Sequence, residues 1–181
     1  MPKIVDHDKR RKDIALQATE VFLKFGYKNI GMRQLCEQLG MSKSAVYHYY
    51  KSKDELFRAA TEAIVNFDAN VLAERPESSA ANDVQKIENF ILILNQIAPR
   101  FFQEMKLIAD YIDTIGEENT ATDSCMALAN QKYMSMLGNY VSDTHQVPLY
   151  TLILGLLNHQ VMIGKPLDEN YVIEQLKKVL N

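Results

Sequence analysis

The sequence has no apolar run approaching the ~18–20 residues that a membrane-crossing helix needs, so no membrane contact is expected. Its first residues, Met1-Pro2-Lys3-Ile4-Val5-Asp6, hold no apolar stretch of the signal-peptide kind, and a cytoplasmic protein is expected. No segment of useful length alternates apolar and polar residues with period two, which argues against strands. Internal repeats and low-complexity tracts are also lacking. Cysteine is scarce: Cys36 and Cys125 stand far apart, in no C-x-x-C spacing. Each lies among apolar residues at helical spacing, where the expected role is a small buried side chain; a redox switch is the alternative. The histidines His7, His48, His145 and His159 fall in neither H-x-x-x-H nor H-E-x-x-H spacing. There is no Gly-rich phosphate loop and no nucleophile elbow. An enzyme, a metal site and a cofactor are therefore not expected.

What is present suits a globular chain with a head and a body. Of 181 residues, 47 % are apolar and 24 % charged, the balance of an ordinary folded domain. The net charge of −3 averages two unlike parts. Residues 1–53 hold 11 Lys and Arg against 5 Asp and Glu; residues 54–181 hold 9 against 18. A basic head on an acidic body points to a polyanion met by the head alone.

Helical periodicity runs through the whole chain, predicting an all-α fold of about nine helices. Ile14, Ala18, Val21, Phe22 and Phe25 mark one face of a first helix, capped by Asp6 or Asp8 and ended at Gly26 in a left-handed turn. Met32, Leu35, Cys36 and Leu39 mark a short second helix, starting at Gly31 and stopped by Gly40. Ser42 offers a new N-cap for a third, with Ala45, Val46 and Tyr49 inward. A fourth follows Lys51-Ser52-Lys53-Asp54, with a stripe from Leu56 through Ala60, Ala63, Ile64 and Phe67 to Val71. Arg75-Pro76-Glu77-Ser78-Ser79 reads as a loop. Further stripes contain Val84, Ile87, Phe90, Ile91 and Leu94, then, after a break at Pro99, Phe101, Met105, Ile108, Ile112 and Ile115. The segment 116–122 is turn-like, and the next helix carries Met126 to Val141. Pro148 is expected as the first residue of a helix to about Ile163, and Asp168 as the cap of the last.

The second and third helices have the spacing of a helix-turn-helix, residues 31–50. Cys36 is the small residue early in helix two, Gly40 the turn, and Leu35, Leu39, Met41, Val46 and Tyr49 the locks. The outer face of helix three then holds Ser42, Lys43, Ser44, Tyr47 and His48, with no acidic group, which suits the major groove. Tyr47, Tyr49 and Tyr50 are costly to expose unless they meet a surface, and tyrosine hydroxyls bond phosphates. The bland alternative is a helical hairpin with a solvated outer face.

Ile14-x-x-x-Ala18, Val21-Phe22, Gly26-Tyr27, Met32-Arg33-x-Leu35-Cys36, Leu39-Gly40-Met41-Ser42, Val46-Tyr47-His48-Tyr49-Tyr50 and Lys53-Asp54-Glu55-Leu56 together resemble the signature of the TetR family of transcriptional regulators. The resemblance covers about residues 10–57. Leu154-Gly155-Leu156-Leu157 and Gly164-Lys165-Pro166-Leu167-Asp168 are similar to the family's ending. The pattern departs at Ile30-Gly31, where a hydroxyl cap is usual, at Cys36 for a common Ala, and at Ser44 for a common Gly or Ala. The resemblance implies a DNA-binding domain at 8–68 and a ligand-sensing and dimerisation domain at 69–181. It places Lys43, Tyr47 and His48 on the recognition helix, Tyr47, Tyr49 and Lys53 on phosphates, and Arg33 on a base or a phosphate. It brings Arg10 and Arg11 to the backbone or a minor groove, with solvated helix surface as the alternative.

In the body, Phe, Tyr and Met concentrate between residues 100 and 141. They suggest a pocket for a mostly apolar or aromatic effector lined by Phe67, Phe101, Met105, Tyr133 and Met136; ordinary core is the alternative for each residue. Glu104, Asp110 and Asp113 share a helix there and offer a carboxylate to a cationic ligand, or are solvated charge. Residues 149–163 are apolar almost all round and must be covered twice. A homodimer is expected, with Leu149, Ile153, Gly155, Leu156, Val172 and Leu176 at its interface. The expected function is a dimeric regulator, more a repressor than an activator, that reads a pseudo-palindromic operator and is released by a small molecule. A DNA-binding module controlled by protein contacts, and a helical interaction protein without DNA binding, remain the other readings.

Overall fold

In the computed structural model, which describes residues 6–70, 75 and 81–180, the helix ends follow local chemistry. The Asp6 side chain accepts from the Lys9 amide and starts α1, His7–Phe25. Gly26 closes it with its N–H on the Phe22 carbonyl, 2.8 Å; its φ of 80° and ψ of 168° are glycine territory, but not the left-handed helical cap expected. Next come α2, Met32–Gln38, α3, Lys43–Tyr49, and α4, Lys53–Ala69. Gly31 opens α2 with no side-chain cap, as its lack of a hydroxyl foretold. The remaining helices are α5, Asp83–Ile97; α6, Phe101–Ile115; α7, Ser124–Gly138; α8, Asp143–Ile163; and α9, Glu169–Leu180. A 3-10 turn fills Glu117–Thr122. Among the described residues there is no strand. Val71 and the loop Pro76–Ser79 lie outside the described residues.

One helix start differs from expectation. Pro148 lies inside α8, not at its head. The helix begins a turn and a half earlier, behind Ser142, whose carbonyl accepts the His145 amide at 2.9 Å. Only the first four amides of a helix lack intrahelical partners, so a proline at the sixth position costs one bond, which this long helix tolerates.

Packing divides the chain differently from the linear cut between residues 68 and 69. One unit comprises the residues up to Ile64 with Gln103–Leu128; the other comprises Val65–Phe102 with Ala129–Asn181. The helices α4, α6 and α7 therefore contribute to both. The first unit is built on Ile14, Ala18, Phe22, Leu35, Val46 and Leu56, all essentially buried. Tyr27, Phe57 and Tyr111 close it as an aromatic cluster: Tyr111 stands edge-on to Tyr27 at 4.9 Å and beside Phe57 at 4.8 Å. Thr19 is buried there too, its hydroxyl reaching both the Ala15 and Ala60 carbonyls at 3.2 Å, so α1 and α4 are tied at a polar point. Both cysteines are buried and free, Cys36 and Cys125 alike.

The second unit is built on Phe90, Ile93 and Leu94 of α5, Leu137 of α7, Leu149, Ile153, Leu156 and Leu157 of α8, and Val172 and Leu176 of α9. This corrects the interface expected from sequence. Leu149, Ile153, Leu156, Val172 and Leu176 are each at most 4 % exposed, so they fill this chain's own core and cannot face a second copy. Of the six positions named, only Gly155 is exposed.

Candidate nucleic-acid interface

The turn between α2 and α3 is dictated by Gly40. Its φ is +62°, a left-handed value that only glycine adopts without strain. That geometry lets the Met41 amide reach the Cys36 carbonyl at 3.0 Å and the Gly40 amide reach the Glu37 carbonyl at 3.1 Å, the two crossed bonds of a Schellman ending. One residue on, the Ser42 hydroxyl accepts the Ala45 amide at 3.2 Å and starts α3. Leu35 and Val46 are buried beneath the corner, with Leu39, Met41 and Tyr49 packed against the same core.

What α3 turns outward is the expected face. Ser42, Lys43, Ser44 and His48 are exposed and Tyr47 half-buried. The Lys43 ammonium sits over the Tyr47 ring, 5.6 Å from its centre. No acidic residue occurs between Glu37 and Asp54. Arg33 on α2 is also solvent-facing, paired with Glu37 one turn on, 3.1 Å away. Such an exposed pair is worth little and is easily exchanged for a phosphate.

Other basic residues are already engaged. The Arg11 guanidinium bonds the Tyr49 carbonyl and the Glu55 carboxylate, and lies over the Tyr50 ring at 4.4 Å. It locks α1 onto the end of α3 and the start of α4, whereas a DNA contact was expected. Lys53 donates to the Tyr27 carbonyl at 3.0 Å with its ammonium 4.1 Å from the Tyr27 ring centre. Glu55 accepts the Lys51 amide at 2.8 Å. That amide bond, and then Arg11, hold its carboxyl below the usual glutamate range.

Two positions were not foreseen. Tyr50 is 1 % exposed and its hydroxyl donates to the Arg11 carbonyl at 2.8 Å, so it is core and not a surface tyrosine. His7, at the start of α1, stands 3.1 Å from the Tyr49 hydroxyl, with its ring 5.7 Å from that of His48. No spacing rule links positions 42 residues apart, which is why His7 was not read as part of this surface.

Residues 14–60 match the family described as "Bacterial regulatory proteins, tetR family". The match is confined to this head, and it is the head that is similar to the tetR family. It is 31 % identical over 99 residues to the HTH-type transcriptional regulator PksA of Bacillus subtilis, covering 55 % of this chain and 46 % of that protein. It is 37 % identical over 59 residues to the HTH-type transcriptional repressor AcnR of Corynebacterium jeikeium, covering 32 % and 31 %. The matches thus span less than half the length of these curated relatives. A solved TetR-family structure from Streptomyces coelicolor A3 shares the fold with a TM-score of 0.70 at 17 % identity, over 98 % of this chain and 99 % of that one. The multidrug binding protein EbrR, complexed with imidazole, shares it with a TM-score of 0.68 at 18 % identity, over 100 % and 94 %. The fold is thus shared with these two structures over nearly the whole chain.

The body residues expected around a ligand are not all alike. Phe101 and Met136 are buried in the second unit's core and Tyr133 packs against it. Phe67 is 46 % exposed, and Met105 is 41 % exposed in the other unit. The inward face of α6 in the first unit is carried by Leu107, Tyr111 and Ile115. Asp110 and Asp113 meet Lys28: Asp110 accepts its amide at 2.7 Å and Asp113 its ammonium at 2.6 Å. The cation those carboxylates face is this chain's own.

Proposed function

We propose that the chain is a tetR-family, homodimeric, sequence-specific regulator of transcription, a repressor that leaves its operator when a small molecule binds the body. The supporting observation is the outer face of α3. It is exposed, hydrogen-bonding, free of acid and rigidly presented by the Gly40 corner. Lys43, Tyr47 and His48 on α3 would meet base edges and phosphates, and Arg33 a phosphate or base beside them. Tyr49, already against His7, would offer its hydroxyl to the backbone. Two heads related by a two-fold axis would read half-sites about 34–36 Å apart or a multiple of that. The effector half of the proposal is favoured by the likeness in fold to EbrR, whose solved complexes hold imidazole, ethidium and proflavin. No helix is long and apolar enough to cross a membrane among the described residues, and the cytoplasm is the compartment such a regulator works in.

The test is fluorescence anisotropy with DNA from upstream of the chain's own gene, across a salt series. Specific binding should fall linearly in log K against log salt. Lys53→Ala should lower that slope by about one unit, with equal loss on every sequence, if Lys53 leaves Tyr27 for a phosphate. No salt-dependent DNA binding at all would overturn the proposal.

A further inference from the structure

Asp68, near the end of α4, is a carboxylate with no exposure to solvent. Such a group needs a full set of partners. Its Oδ1 is met by the guanidinium of Arg100, from the connection between α5 and α6. Its Oδ2 accepts the Tyr133 hydroxyl of α7 at 3.0 Å. The Arg100 guanidinium carbon is 5.8 Å from the centre of the Phe67 ring, and Tyr133 is stacked with Tyr150 at 6.2 Å. Burial pushes the Asp68 carboxyl up, while Arg100 and Tyr133 draw it back. All five residues belong to the second unit.

The partner is unequal to the anchor. Asp68 has 1 % of its side chain exposed, Arg100 has 19 %, and the Phe67 ring beside it is half open. The fixed parts are thus the anion, one hydroxyl donor and the aromatic faces. The movable part is a planar, delocalised cation on a flexible stem, the more exposed member of the pair, which also donates to the Gln96 carbonyl at 3.1 Å. A protein that needed only a neutral, packed contact here would gain by replacing the pair with apolar side chains.

We propose that Asp68 anchors an effector site for a planar, delocalised cation, and that Arg100 is its tethered occupant. An incoming amidinium or aromatic cation takes the carboxylate and the Phe67 face, and Arg100 swings to solvent. Because Arg100 directly precedes α6, its release alters what holds the start of that helix. The inference rests on reading the body as the effector-sensing part, and it supplies the chemistry of the effector.

Benzamidine is the probe: its amidinium copies the guanidinium and its ring matches Phe67. Benzamide is the neutral control of the same shape. Isothermal titration at pH 8 with the full chain should show benzamidine binding and benzamide not. A tethered group competes at an effective concentration of about millimolar, so wild-type affinity should be weak and Arg100→Gln should tighten it about tenfold. Asp68→Asn should weaken benzamidine at least tenfold. Should Asp68→Asn not fold, Tyr133→Phe, which removes one donor to the anchor, should weaken it by a smaller factor. A purely structural ion pair predicts the opposite for Arg100→Gln, which then gains nothing. Equal binding of the two compounds, or no benzamidine binding by either wild type or Arg100→Gln, overturns the proposal. Loss of DNA binding by the unliganded wild type would instead overturn the regulator reading, so the two failures are separable.

Discussion

Tyr49 and Tyr50 are neighbours with opposite surroundings. Tyr49 ends α3 with its hydroxyl toward His7, on the outside. Tyr50 has left helical geometry, φ −136° and ψ 118°, and that change of direction drives its ring into the core. Helical periodicity could place Val46 inward because Val46 is inside the helix. It could not place Tyr50, because the helix ends one residue earlier. Tyr50→Phe should leave the Arg11 carbonyl without its donor and cost about 1 kcal/mol of stability, read by thermal unfolding. Tyr49→Phe should leave stability nearly unchanged and weaken DNA binding on all sequences. Glu55 adds a pH dependence. Its carboxyl is held below the ordinary value of 4.5, first by the Lys51 amide and then by Arg11. A carboxyl lowered by folding contributes stability above that ordinary value, and the contribution is lost as pH falls through the lowered one. Glu55→Gln should therefore flatten the acid limb of a stability-against-pH curve between about pH 4.5 and the lowered value. An unchanged acid limb would mean that the contacts of Glu55 do not persist in solution.

At the scale of elements, the helix-turn-helix was the most legible part because its chemistry is local. Gly40, Ser42 and the apolar locks lie within one short segment, and each acts on its near neighbours. A Cβ on Gly40 would meet nothing within 4 Å, so the cost of Gly40→Ala is purely that of the left-handed backbone. It should be about 1–2 kcal/mol, seen as a lowered melting temperature of the free chain with the fold retained. A larger loss would mean that the corner is held by packing and not by glycine's freedom. Where partners come from far along the chain, the reading was poorer. The stripe Phe101, Met105, Ile108, Ile112, Ile115 follows helical period, yet Ile115 shares the inward face of α6 in the first unit with Tyr111 and Leu107, which the stripe omits. Aromatic Tyr111 is drawn to Tyr27 and Phe57, and nothing in α6 itself announces them. Likewise Asp110 and Asp113 could be seen to share a helix face, but not that Lys28 would occupy it. Asp68 escaped notice for the same reason: Arg100 and Tyr133 stand 32 and 65 residues away.

For the whole molecule, the question is what covers the far side of α8. The sequence showed that this helix is apolar almost all round, but not which side its own chain takes. The structure answers that Ile153, Leu156 and Leu157 go inward. Left outside are Leu154 at 38 %, Met162 at 77 % and Ile163 at 42 %, with Tyr171 of α9 at 43 %. Gly155 lies on the same open side, and a Cβ there would meet nothing within 4 Å. Its bareness therefore serves no contact within the chain, while it would let a second α8 approach closely. A helix-interior glycine costs roughly 0.8–1.0 kcal/mol relative to alanine, so Gly155→Ala should stabilise an isolated subunit and weaken a dimer that packs across it. Leu154→Glu should give a folded monomer by light scattering with an unchanged helical circular dichroism spectrum. Ile153→Glu, one residue away, should unfold the second unit, because an unpaired charge in its core costs several kcal/mol. The contrast between adjacent positions separates interface from core, which neither substitution does alone. If Leu154→Glu remains a dimer, the two copies meet on another face, and the spacing of their heads on an operator must be set from there.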